Sequence, residues 1–276
     1  MIYQKIKYML CPLLALNSAC GTYLPEIRES WDVNRSQEIS ANGILEANVK
    51  EKIYCAIYLA VKAQRVFPEG WAVQSTLDLQ VDHIGSVNPG LSYIVPFNAA
   101  ENFTLGLGAT LSSQATREDK IGSYWDLDRL RKYKTDECDD AGEIKGSSPL
   151  ITSDLGLTQW LTDALASVKY FPSSPISQGN VFNQDSLTYH AKFIIITTGS
   201  LNPTWKLIRF NSGNGAALAS VNRTRTHDIL LTFGPKFKPN SPNIALSQHF
   251  STEYAISLGN SGRQSAFPAS PPLFGQ

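Results

Sequence analysis

At 276 residues, with 24 basic and 24 acidic side chains, the chain is formally neutral, and so even a balance gives no electrostatic case for binding nucleic acid. Only 17% of residues are charged; Ser, Thr, Asn and Gln fill the polar surface instead, a common composition among exported β-rich proteins. The length suits one large domain or two small ones.

The chain begins with a short basic stretch carrying Lys5 and Lys7, then an apolar run Tyr8–Leu16, then the small-residue exit Asn17-Ser18-Ala19-Cys20. The run is too short to span a bilayer, and Pro12 interrupts it. Both features fit an export signal. The segment resembles bacterial lipoprotein signals, whose lipobox is typically Leu-(Ala/Ser)-(Gly/Ala)-Cys. Ser18, Ala19 and Cys20 match its last three places, while Asn17 stands where an aliphatic residue is usual. The resemblance covers residues 1–21 and implies thioether acylation of Cys20 and cleavage before it. Gly21 replaces the Asp that often retains such proteins on the inner membrane, so the resemblance implies the outer membrane. Ordinary secretion of a soluble chain is the alternative. With Lys5 and Lys7 removed, 22 basic residues face 24 acidic ones, a net charge of −2.

Residues 20–41 are polar with little periodicity and read as a tether. From about Asn42 to Gln64, Leu45, Val49, Ile53, Ile57 and Ala60 recur at helical spacing, and Pro68 ends the element. The period then changes to 2: Trp71, Val73, Leu77, Leu79 and Val81 alternate with polar residues in a half-buried strand. Asn88-Pro89-Gly90 marks a turn before a short strand, Leu91–Phe97. A second alternation, Phe103, Leu105, Leu107, Ala109 and Leu111, carries Gly106 and Gly108 on its other face and extends toward Trp125 as one long strand. Residues 132–150 read as a charged loop. Asp154 is placed to cap a helix whose apolar face is Leu157, Trp160, Leu161, Ala164, Leu165 and Val168. A strand Leu187–Thr198, a turn at Gly199–Pro203 and a return over Thr204–Phe210 make a hairpin. The last strand is Ala219–Phe233, a final helix over 244–258 stops at Gly259, and 260–276 reads as a disordered Ser/Pro/Gly tail.

This order, with hairpin turns and no βαβ rhythm, predicts an α+β fold: a twisted antiparallel sheet of about five or six strands, with two or three amphipathic helices on one face. The expected organisation is a signal over 1–19, a tether over 20–41, a single domain over 42–235, a C-terminal extension over 236–259 and a tail beyond. The small-residue strand face raises a membrane β-barrel, but two apolar helices and too few strands weigh against it.

Few residues suggest chemistry. Arg223, Arg225 and His227 share one face of the last strand, a stripe able to hold a carboxylate, phosphate or lipid headgroup. The plainer reading pairs these arginines with acids such as Glu118, Asp119 or Asp126. Asp82-His83, His190 and His227-Asp228 could converge at one end of a sheet, but no HExxH or HxH spacing is present, so neither a metal nor a cofactor is expected. No G-x-S-x-G elbow or dinucleotide loop appears. Once Cys11 is cleaved away and Cys20 acylated, Cys55 and Cys138 remain. They could close a loop of about 80 residues in an oxidising compartment, although the apolar setting of Cys55 tilts the reading toward a buried free thiol.

Together these features suggest an exported, lipid-anchored envelope protein, a non-enzymatic binding or scaffold domain with an envelope protein partner. The alternatives are a periplasmic hydrolase, or a small-anion-binding module built on Arg223, Arg225 and His227.

Overall fold

The fold comes from a computed structural model that describes residues 24–29, 31–32, 39–65, 67–97, 102–132, 138, 144–171, 185–201, 205–206, 210–212, 217–236 and 243–264. The export signal, Cys20 and the C-terminal tail lie outside these residues. The fold is α+β. Its helices are α1 (Ala41–Ala63), α2 (Leu127–Lys132), α3 (Pro149–Thr152), α4 (Leu157–Tyr170) and α5 (Ile244–Gln264). Its strands are β1 (Trp71–Val87), β2 (Gly90–Pro96), β3 (Asn102–Gly108), β4 (Leu111–Asp126), β5 (Leu187–Leu201), β6 (Trp205–Lys206), β7 (Phe210–Ser212) and β8 (Ala219–Pro235). They form two sheets, the antiparallel order β4-β1-β8-β5 and the order β3-β2-β7-β6.

The chain divides into two compact units. One comprises residues 1–31, 79–119 and 193–227; the other comprises 32–78, 120–192 and 228–276. Both draw on segments outside the 42–235 span expected of a single domain. The first unit, where described, is built from strands and the segment 24–29. The second holds the helices and the densest apolar core.

In the helical unit, Ser40 caps α1 by accepting from the Gly43 amide (3.2 Å). Leu45, Val49, Ile53, Ile57 and Val61 are buried along α1, which packs on α4. The expected α4 face is present: Leu157, Leu161, Leu165 and Val168 are buried. Trp160 sets its ring 5.1 Å from Tyr189 and 5.8 Å from Phe233. Asp154 does not cap α4; it accepts from the Gly156 amide (2.9 Å), and Gly156 at φ +62° is the capping residue. Only a residue without Cβ adopts that backbone readily.

The helices cover both faces of the sheet rather than one. Phe233 meets α4, whereas its neighbour Thr232 hydrogen-bonds His249 of α5 (2.9 Å). Successive strand residues point to opposite faces, so α4 and α5 lie on opposite sides. The β8–α5 approach is close: a Cβ on Gly234 would fall 2.4 Å from that of Ala245. Helix α5 also runs through Gly259 to Gln264. Gly259 has no positive φ, so it lacks the left-handed cap geometry that ends helices.

Cys55 and Cys138 form a disulfide across 83 residues, correcting the free-thiol reading. Both sulfurs belong to the helical unit's core, where each cysteine is 2% exposed. An apolar setting is as suitable for a bridge as for a thiol.

The long alternation expected from Phe103 toward Trp125 is interrupted. β3 ends at Gly108 and β4 begins at Leu111, the two strands belonging to different sheets. The turn at Asn88–Pro89 connects β1 to β2 in the same way. Asn88 is fixed there by its amide to the Leu218 carbonyl (2.7 Å) and its side chain to the Ala217 carbonyl (3.0 Å).

Candidate functional site

The stripe on β8 lies within the strand-built unit. Alternation puts Arg223, Arg225 and His227 on one face as expected, but this face is not an open ligand site. Residues 24–29, read from sequence as part of a loose tether, are bound to it. Ile27 is fully buried and Pro25 is buried beside it. The Glu29 carboxylate takes Arg225 Nε at 2.8 Å and lies 3.3 Å from Arg223 Nε, all through Oε1. Arg223 Nη2 donates to the main-chain carbonyls of Glu26 (2.8 Å) and Arg28 (2.9 Å). Its Nη1 donates to His83 Nε2.

A guanidinium can only donate, so His83 must accept at Nε2 and its ring is neutral. Burial, then the charge of Arg223, lowers the His83 pKa below its ordinary 6.5, with Glu29 and Asp82 opposing. The Arg225 side chain is 7% exposed and Glu29 15%, so the pair is largely removed from water. His227 is 1% exposed. The anion on the cationic stripe is therefore the chain's own carboxylate, and the arrangement is a clamp holding residues 24–29 in place.

Two of the acids suggested as partners for these arginines, Asp119 and Asp126, are engaged elsewhere. Asp119 pairs with Arg117 (2.6 Å), and Asp126 with Lys236 (2.7 Å). Lys236 also reaches Asp128 (2.6 Å), which accepts from the Gly70 amide (3.0 Å). Burial pushes the Asp126 pKa up. The Lys236 hydrogen bond and the amides of Arg129 and Asp128 outweigh it, and the carboxyl is held below its ordinary value.

The histidines are dispersed. His83 faces Arg223. His190 bonds Asp228 (2.7 Å) in the helical unit. His249, fully buried, is held between Thr76 (3.0 Å) and Thr232 (2.9 Å). Among the described residues, no group of three or more His, Cys, Asp or Glu side chains is placed to hold a metal ion. In the helical unit, Asp78, Asp228, Glu253 and Lys120 line a cavity of about 20 Å³, room for one water rather than a substrate.

Sequence reasoning found the cationic stripe but missed Glu29, and it weighed His83 as a candidate metal ligand rather than as a partner of Arg223. Glu29 lies 194 positions before Arg223 in a stretch without periodicity, so no pattern links them. His83 had a usable signal: it shares the core-facing parity of Leu79 and Val81.

No protein-family model matches this chain, and no characterised protein matches it in sequence. Among solved structures, the Salmonella SPI-1 type III secretion injectisome secretin InvG (residues 176 to the end, open gate state) aligns at 12% identity. The alignment covers 79% of this chain and 72% of that one, with a TM-score of 0.19. A second InvG structure aligns at 12% identity over 78% of this chain and 76% of that one, with a TM-score of 0.15. At such scores the likeness defines neither a shared fold nor a shared activity.

Proposed function

We propose that this chain is an exported envelope protein, anchored through an acylated Cys20, that works as a binding or scaffold component rather than as a catalyst. The clamp on residues 24–29 carries this reading. It turns the most reactive-looking cluster of the sequence into an internal fastening, since Arg223 and Arg225 are engaged by Glu29 and His227 is buried. The clamp also gives the anchor a mechanical meaning. Only four peptide steps separate Cys20 from Leu24, at most about 14 Å of extended chain, so a lipid on Cys20 would hold the strand-built unit at the membrane surface. The Cys55–Cys138 disulfide fits an oxidising compartment.

Fractionation of cells expressing the full chain and its Cys20→Ala variant tests the proposal. The full chain is expected in the membrane pellet and released by detergent; the variant, still exported, should be soluble. Identical behaviour of the two would contradict an anchor at Cys20.

A further inference from the structure

The paired strands β2 and β3 come from the stretch of this chain that is poorest in charge. Residues 84–116 hold one Asp, Glu, Lys or Arg, which is Glu101, where the chain's 17% average would place about five or six. The two strands themselves carry none. Their register pairs Leu91 with Leu107, Tyr93 with Leu105 and Val95 with Phe103, and alternation puts these six residues on one face. Leu91, Phe103, Leu105 and Leu107 are 46–64% exposed there, and Phe97, just past β2, is 70% exposed. The opposite face pairs Gly90 with Gly108, Ser92 with Gly106 and Ile94 with Thr104, and is small or polar apart from Ile94.

Such a face calls for a cover. An antiparallel sheet in water commonly packs one face on a core, yet β3 is exposed at every residue from Phe103 to Gly108. Apolar patches of this kind mark contact sites. The available area argues against a second copy as the cover. Strands of seven residues run about 24 Å, and two side by side are about 10 Å wide. The patch is therefore roughly 240 Å² in projection, against about 800 Å² per partner in a standard protein interface. A bilayer sets no such minimum, and hydrocarbon excludes charged side chains more strictly than the rim of a protein interface does. The membrane is also near. The clamped segment 24–29 belongs to the same compact unit as β2 and β3, and an acyl group on Cys20 would hold that unit at high effective concentration beside lipid.

We propose that the apolar face of the β2–β3 pair docks on the bilayer that holds the Cys20 acyl group. Leu91, Val95, Phe103, Leu105 and Leu107 enter the boundary between headgroups and acyl chains, and the glycine and serine face stays toward water. Among the described residues the order β3-β2-β7-β6 is an open sheet. An open sheet cannot cross hydrocarbon, so it lies at the interface, where headgroups and water satisfy its outer amides. Single membrane signals bind weakly and reversibly, whereas two together give stable attachment. A chain without the acyl group therefore leaves the membrane on dilution and returns at high lipid concentration. The inference rests on the exported, anchored reading, which supplies the membrane.

The test is flotation of the full mature chain bearing Cys20→Ala with phosphatidylethanolamine–phosphatidylglycerol vesicles at increasing lipid. The chain is expected to float at high lipid, equally well at low and high salt, because no charge on the face contributes. Leu105→Asp should lower the bound fraction about tenfold or more. Thr104→Asp, one residue away on the opposite face, should leave it unchanged. Both should keep the disulfide and the circular-dichroism spectrum; Leu107→Asn reads the same face if Leu105→Asp fails to fold. A Cys20→Ala chain that floats at no lipid concentration overturns the proposal, as do equal losses in the Thr104 and Leu105 variants. Self-association without vesicles that Leu105→Asp abolishes would assign the face to a second copy instead. Flotation of the variant together with an unmodified Cys20 in cells would refute the anchor alone; an acylated Cys20 with no flotation of the variant would refute the docking face alone.

Discussion

Replacing Glu29 with Ala removes the carboxylate shared by Arg223 and Arg225. Removing one partner of a buried ion pair typically costs about 3–5 kcal/mol, because the remaining charge stays desolvated. Arg225, 7% exposed at its side chain, bears most of this loss. Arg223 keeps its bonds to the Glu26 and Arg28 carbonyls, which puts the expected cost near the lower end, about 3 kcal/mol. At about 2–4 °C per kcal/mol for a chain of this size, the thermal midpoint should fall by roughly 6–12 °C. Urea titration and a thermal scan of the Cys20→Ala background read both quantities. Arg225→Met on top of Glu29→Ala should recover part of the loss, since exchanging both charges for apolar volume avoids a buried cation that has lost its carboxylate. A loss under about 1 kcal/mol, the range of exposed pairs, would refute the clamp.

Three further outcomes are expected. Reducing the Cys55–Cys138 bridge, or replacing both cysteines by Ser, should cost about 4.5 kcal/mol from loop closure over 83 residues, read as a lower urea midpoint in dithiothreitol. Burial lowers the pKa of His249, with Glu253 opposing, and burial and Arg223 lower that of His83. The unfolded state therefore binds more protons just below pH 6.5, so stability is full above that value and falls as the pH drops from it toward the lowered folded values. Urea titrations between pH 7.5 and 5 should show the decline, and His249→Gln should flatten it. Gly234→Ala would force a Cβ to within 2.4 Å of the Ala245 Cβ and should destabilise by about 1–3 kcal/mol, with Ala245→Gly restoring part of the loss in a double-mutant cycle.

The sequence made the local periodic elements legible. The 3.6-residue pattern from Leu45 to Ala60 is α1, and the alternation from Trp71 to Val81 is β1. Both are readable because a buried face repeats at the period of its own backbone. The division between β3 and β4 was hidden because Phe103, Leu105, Leu107 and Leu111 keep one parity across the break at Ala109–Thr110. The second helical face was hidden too, since His249 meets Thr76 and Thr232 through hydrogen bonds rather than through an apolar stripe. Pairings across long separations left no local trace, as with Cys55 and Cys138 or Glu29 and Arg225. The stripe of Arg223, Arg225 and His227 was legible as a cationic face, but its occupant was not.

Intact mass spectrometry of the chain extracted from a membrane fraction tests the exported, anchored reading most directly. A mature chain beginning at an acylated Cys20, two mass units lighter than its reduced form because Cys55 and Cys138 are joined, is the predicted result. A chain that still carries Met1, or that begins at an unmodified residue, would contradict the anchor.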